Sequence, residues 1–233
     1  MLRLICLTHD DVNLKRETIH AAIHQLLPEW YHDEGIARAK NGDPIKAHTF
    51  AGPIGQSIKK NTPFFLDIRG LPEFEELFYK YLRDKKQYKL NNNLISVLEI
   101  IQIAYHDKQT FNIISPIIQR ISMFNPTKEK LDNLRENQKT VFVTAEDNLD
   151  LCQELIKEKL SQKAIIFFGE KNIPKEKPKL FIKKYYTVRP KLLGNTMKGT
   201  RGIVQIIGDP FWRELAYRAG LGERTPYGFG VIE

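Results

Sequence analysis

Apolar and polar positions change period several times along this chain, and each change marks an element. Leu2 to Thr8 alternates apolar with other residues, the period of two that predicts a strand. Arg16 to Trp30 then sets Ile19, Ile23, Leu26 and Leu27 at helical spacing. Asp33 to Pro44 keeps neither period, and Ile45 to Ala51 resumes strand alternation until Gly52-Pro53 breaks it. Pro63 to Arg69 predicts a second short strand. Leu71-Pro72 opens a helix with Phe74, Leu77, Phe78, Tyr81 and Leu82 on one stripe, proline being suited to a first turn, where its missing N–H has no intrahelical partner. Asn91-Asn92-Asn93 signals a turn, and the apolar run from Leu94 to Tyr105 predicts a buried strand. The order is βαββαβ.

The second half repeats the pattern less regularly. Thr110 to Ile121 reads as a strand, Asn148 to Leu160 as a helix, and Ala164 to Phe168, Lys179 to Val188 and Gly202 to Ile207 as strands. Phe211 to Ala219 supplies a second helix and Tyr227 to Ile232 a closing strand. Asn125 to Lys139 is polar and charged, which predicts a surface excursion. The expected fold class is α+β, two tandem ferredoxin-like (βαββαβ) modules with antiparallel sheets, spanning residues 1–106 and 107–233. No sequence repeat links the halves, so the duplication rests on element order alone.

Charge sharpens this picture. The 233 residues carry a formal net charge of +8, which favours an acidic partner, nucleic acid before a membrane surface. No run of about 18 apolar residues occurs, and the N-terminus turns polar at His9-Asp10-Asp11 too early for a signal peptide, so a cytoplasmic protein is expected. Cys6 and Cys152 both fall in apolar segments and are expected to be buried thiols rather than a disulfide or a metal site.

The basic residues cluster. Between Lys157 and Arg201, thirteen Lys or Arg face three acidic residues. Lys183-Lys184-Tyr185-Tyr186 and Arg189-Pro190-Lys191 put cations beside aromatic rings, a pairing suited to phosphates and unstacked bases. A lysine-protected edge strand is the plainer explanation. Lys198-Gly199-Thr200-Arg201-Gly202 is expected to form a flexible basic loop beside it. The C-terminus adds Gly220, Gly222, Gly228 and Gly230 around Arg224, with Arg218 just before. Glycines admit positive φ or a close approach of backbone to a ligand, and the arginines suggest an anion. An ordinary helix stop at Gly220 and a tight turn at Pro226 to Gly228 would explain the same residues.

Five of the six histidines lie before residue 100. His20 and His24 have the i, i+4 spacing of a helical metal pair, but no HExxH motif or carboxylate cluster accompanies them, so no metal site or cofactor is expected. His32 follows a helix end in Trp30-Tyr31-His32-Asp33-Glu34-Gly35 and leads into a loop with Arg38, Lys40 and Lys46. A histidine there suits proton transfer at a ribose hydroxyl, with a neighbouring cation stabilising charge on the phosphate. A histidine complementing a helix dipole is the structural alternative.

Three local patterns together resemble the CRISPR-associated repeat-processing endoribonucleases, the Cas6 family of the repeat-associated RNA-binding superfamily. They are the block from Lys198-Gly199-Thr200-Arg201-Gly202 through Gly220-Leu221-Gly222 to Gly228-Phe229-Gly230-Val231, the segment Phe111-Asn112-Ile113-Ile114-Ser115-Pro116-Ile117-Ile118, and Trp30 to Gly35 followed by Lys46-Ala47-His48-Thr49-Phe50-Ala51. The resemblance implies cleavage of precursor repeat-spacer RNA to guide RNAs by ribose 2′-hydroxyl attack without metal, leaving 2′,3′-cyclic phosphate and 5′-hydroxyl ends. It implies a catalytic set of His32, His48, Lys46 and Tyr31. RNA binding falls to Lys183, Lys184, Arg189, Lys191, Lys198, Arg201 and Arg224 with Gly220, Gly222, Gly228 and Gly230. Other CRISPR-associated interference-complex proteins are candidate partners, a membrane is not, and the chain is expected to be a monomer or a homodimer. A noncatalytic relative that holds guide RNA, and a ferredoxin-like small-molecule or metal sensor, are the competing readings.

Overall fold

The structure, a computed structural model, describes residues 1–26, 37–38, 44–45, 48–84, 87–90, 93–122 and 140–233. Tyr31, His32, Lys40, Lys46 and the polar stretch Asn125 to Lys139 lie outside the described residues.

The first half forms a five-stranded antiparallel sheet from β1 (Leu2–Thr8), β2 (His48–Ala51), β3 (Pro63–Gly70), β4 (Gln87–Leu90) and β5 (Asn93–Gln102), with α1 (Arg16–Leu26) and α2 (Pro72–Asp84). The strand order is β2-β3-β1-β5-β4. Setting aside β4, which adds a hairpin edge, this is the split βαβ arrangement of a ferredoxin-like module. Alternation along β1 buries Leu2, Leu4 and Cys6. Register sets Leu4 opposite Leu66 and Cys6 opposite Phe64, so the apolar rows meet Ile19 and Ile23 of α1 and Phe74, Phe78 and Leu82 of α2 in one core. Tyr81, assigned by spacing to that stripe, is exposed.

The second half contains β6 (Thr110–Ile117), α3 (Leu149–Phe168), β7 (Lys179–Val188), β8 (Gly199–Ile207) and α4 (Pro210–Ala219). The sheet order is β6-β8-β7, and the C-terminal residues add to the free edge of β6, where Ile232 bridges Ile113. Counting that segment as the fourth strand, the order is again that of a ferredoxin-like module. Its own core gathers Phe111, Ile113, Leu180, Ile182, Val204 and Ile206 from the sheet against Leu155, Ile156, Leu160, Trp212 and Leu215 from the helices.

Three sequence expectations change here. Ala164 to Phe168 is not a strand but the last turns of α3, which ends only at Gly169, φ +76. Ser161-Gln162-Lys163 contains no breaker, and a short apolar run has no period to tell strand from buried helix. Lys198 to Gly202 is not a flexible loop, because Gly199 opens β8 and Thr200, Arg201 and Gly202 pair with the neighbouring strands. Tyr227 to Ile232 is not a continuous strand. Thr225–Tyr227 is a single 3-10 turn, and backbone pairing to β6 begins with Gly230 N–H, Gly228 and Gly230 both standing at positive φ.

The two sheets share a seam built on the C-terminal segment. Arg16 donates to the carbonyls of Tyr227 (3.2 Å) and Gly228 (2.5 Å). Thr49 Oγ1 donates to Phe229 O at 3.3 Å, and Arg69, fully buried, donates to Ile232 O. Arg218 donates to Gly70 O and pairs with Glu75 at 3.2 Å and Glu214 at 2.8 Å. Arg218 is therefore a junction residue rather than part of an anion site.

Candidate functional site

β7 carries the basic and aromatic residues singled out in the sequence. Leu180 and Ile182 point into the core, while Lys179, Phe181 and Lys183 are exposed on the other face. A simple strand would send Lys184 inward. Instead the register slips between Lys183 and Tyr186, and Lys184 takes φ +47. This bulge leaves Lys183, Lys184, Tyr185 and Tyr186 all exposed, Tyr186 by 49 %. Bulges re-aim side chains in this way. It depends on Gly202 across the ladder, at φ +145, where a Cβ would lie 2.8 Å from the carbonyl oxygens of both Lys183 and Lys184. Neither Phe181 on this exposed face nor the contact of Gly202 with the bulge was singled out in the sequence. Phe181 was detectable from its phase with Lys179 and Lys183, whereas the contact of Gly202 with the bulge is visible only in three dimensions.

The remaining cations divide by environment. Arg189, Lys191 and Arg224 are exposed, the last at a left-handed φ of +58. Lys183 reaches Gln205 Oε1 at 2.8 Å, Lys198 pairs with Asp147 at 3.2 Å, and Arg201 donates to Ile114 O at 3.0 Å. These last two are already engaged within the protein.

The glycine-rich segment is packed, not open. Gly220, Gly222, Gly228 and Gly230 are all buried and all at positive φ. A Cβ on Gly230 would fall 1.8 Å from Leu221 O, one on Gly222 2.6 Å from Ile118 O, and one on Gly228 2.7 Å from Phe50 O. Leu221 N–H donates to Gly230 O and Gly230 N–H to Pro116 O, folding the segment back on itself against the end of β6. Lys163 of α3 is enclosed beneath it and donates to Ala219 O (3.0 Å), Gly220 O (2.8 Å) and Thr225 Oγ1 (3.3 Å). Burial pushes the Lys163 ammonium down to about 7. Such a cation is tolerated because carbonyl oxygens surround it.

On the first module, His48 is fully buried and its ring stacks on Phe74, centroids 4.6 Å apart. Burial separates its ring from solvent. His20 and His24 of α1 lie nearby, His20 with Nδ1 2.9 Å from Pro226 O. Cys6 and Cys152 are buried, as expected, and burial pushes their thiols up to about 12 and about 11, which makes them poor nucleophiles. Among the described residues no helix is long and apolar enough to cross a membrane.

Residues 98–233 match the family model described as CRISPR associated protein Cas6, C-terminal. The chain belongs to the Cas6 family. Solved structures agree in fold over the whole chain. One described as CRISPR associated protein Cas6 superposes with a TM-score of 0.72 at 19 % identity, covering 100 % of this chain and 97 % of the other. A RAMP protein described as binding different RNA substrates gives 0.71 at 17 %, covering 100 % and 98 %. The product of a Cas6-related gene from Pyrococcus furiosus gives 0.70 at 16 %, covering 100 % and 96 %. No curated protein sequence matches the chain. The Cas6 match takes in β6 to α4 and all four C-terminal glycines, and so two of the three patterns that carried the resemblance in sequence; the third, Trp30 to Gly35 with Lys46 to Ala51, lies outside it.

Proposed function

We propose that the protein is an endoribonuclease that cuts CRISPR repeat-spacer precursor RNA within its repeats to give guide RNAs. The observation that carries this reading is the match of residues 98–233 to the Cas6 C-terminal model. The exposed bulge on β7 supports it, since cations and rings on one strand suit a single RNA strand better than a small ligand. In this proposal residues 1–106 carry cleavage and residues 107–233 carry binding.

Binding falls to Lys183, Lys184, Tyr185, Tyr186, Arg189, Lys191 and Arg224, all exposed. The buried glycines act through architecture, folding the segment that presents Arg224 and holding the two sheets together. In the cleavage step His32 takes the proton from the ribose 2′-hydroxyl, whose oxygen attacks the adjacent phosphorus. The leaving 5′-oxygen is released with a proton, giving 2′,3′-cyclic phosphate and 5′-hydroxyl ends. Lys46 stabilises charge on the phosphate oxygens and Tyr31 positions the nucleotide. His48 is left out of the cleaving set, because its ring is enclosed on Phe74.

The test is incubation of the protein with repeat RNA in EDTA, comparing His32→Ala with His48→Ala. Loss of cleavage in His32→Ala with folding retained is expected. Undiminished cleavage in both variants would discard the histidine assignment. Tight binding of several repeats without any cleavage would favour a noncatalytic relative that holds guide RNA.

A further inference from the structure

The helical histidine pair gains a third member once the chain is folded. His20 and His24 project from α1 with ring centroids 4.3 Å apart, and β2 brings His48 to 6.1 Å from His24. One ring nitrogen from each lies within 4.8 Å of the others. A tetrahedral metal with bonds of about 2.0–2.1 Å spaces its nitrogens about 3.3 Å apart. Closure therefore takes roughly 1.5 Å of side-chain movement, shared by His20 and His24, which are only partly buried.

The surroundings fit ligation. The Pro226 carbonyl can only accept a hydrogen bond, so Nδ1 of His20, 2.9 Å away, carries the proton. The neutral ring then has its lone pair on Nε2. A ligating imidazole whose other nitrogen donates to a carbonyl is the usual arrangement at metal centres, because that bond fixes tautomer and ring plane. Tyr227 stacks on His20 at 4.0 Å and Phe74 on His48 at 4.6 Å, which orients two of the three rings. Among the described residues the cluster contains no carboxylate, and an all-imidazole set selects zinc-like ions over magnesium or calcium.

We propose that His20, His24 and His48 bind one divalent transition-metal ion of the zinc class. The ion ties α1 and β2 to the C-terminal segment through the His20–Pro226 contact, a structural clamp on the seam between the two sheets. The site goes beyond RNA processing, and its test involves no RNA.

Full-length protein is stripped with EDTA, exchanged into metal-free buffer and titrated with Co²⁺, whose visible absorption is intense in four-coordinate sites. Saturation at one equivalent is expected, with loss of the band on adding Zn²⁺ and a higher Tm in Zn²⁺ than in EDTA. His20→Gln and His24→Gln, at partly buried helix positions, should keep their far-UV circular dichroism. Each should weaken Co²⁺ binding by at least the ~10–100-fold that loss of an outer-shell partner costs. His48→Gln gives a third arm. The proposal is overturned if no intense band forms at one equivalent, or if the band and the Zn²⁺-dependent rise in Tm persist in both helix variants.

Discussion

Gly228→Ala isolates the packing role assigned to the C-terminal glycines. Gly228 sits at φ +71, and a β-carbon there would lie 2.7 Å from both Cε2 and the carbonyl oxygen of Phe50. Phe50 is fully buried in the first core and cannot move aside freely. The left-handed conformation costs an L-residue about 1–2 kcal/mol. Overpacking a well-filled site adds about 1–3 kcal/mol. The expected loss is therefore about 3–4 kcal/mol, or roughly 10 °C in Tm for a chain of this length. Gly194→Ala provides the control, because Gly194 has a similar φ of +78 with nothing within 4 Å of a built β-carbon. It should lose only the conformational share, about 1–2 kcal/mol. Both values come from thermal unfolding followed by circular dichroism. A Gly228→Ala cost no larger than that of Gly194→Ala would refute the close-packing argument.

Other substitutions probe the seam, the binding face and the buried lysine. Arg16→Met removes two hydrogen bonds to the Tyr227 and Gly228 carbonyls and should cost about 2 kcal/mol in urea unfolding. Arg16→Lys should restore little, lacking the forked guanidinium. On the exposed strand, Lys183→Ala should weaken RNA binding and flatten the log-affinity against log-salt slope by about 0.7. Tyr186→Ala should cost about 1–3 kcal/mol of binding with the slope unchanged. Slopes altered equally by both would contradict the division between phosphate and base contacts. Burial holds Lys163 near 7 in the fold against 10.5 when exposed, so the unfolded chain binds more protons between those values and stability rises with pH there. The rise is at most about 1.4 kcal/mol per pH unit. The stability difference between wild type and Lys163→Met should therefore move in favour of wild type from pH 7 to pH 9 in urea titrations. A move in favour of the variant would contradict this assignment.

Much of the scaffold could be read from period alone, because β1, α1 and α2 each bury one regular stripe. The chain failed to announce its structure where local pattern and tertiary environment diverge. Ala164 to Phe168 is apolar on every side, and only the positive φ at Gly169 marks where α3 stops. The C-terminal glycines were legible as positions of unusual backbone, but their chemistry could not be inferred from glycine content. The same positive φ serves a ligand cradle and a buried crossover, and the 1.8 Å approach of a built Gly230 β-carbon to Leu221 O decides for the second. Lys183 to Tyr186 was recognisable as basic and aromatic, yet their common exposure comes from a bulge that requires Gly202 on another strand. His48 lies in a segment whose sequence resembles a catalytic strand, while folding encloses its ring on Phe74 and beside two helical histidines 24 and 28 residues away. No spacing rule anticipates a trio assembled from a helix and a distant strand.

The central claim is that this chain cuts repeat RNA by attack of the ribose 2′-hydroxyl. The direct measurement uses a labelled repeat RNA in EDTA, paired with the same RNA carrying one 2′-deoxynucleotide immediately 5′ of the scissile phosphate. Cleavage of the all-ribose strand to a 2′,3′-cyclic phosphate, with none at the substituted position, is the expected result. Equal cleavage of both strands, or none of either despite tight binding, would contradict it.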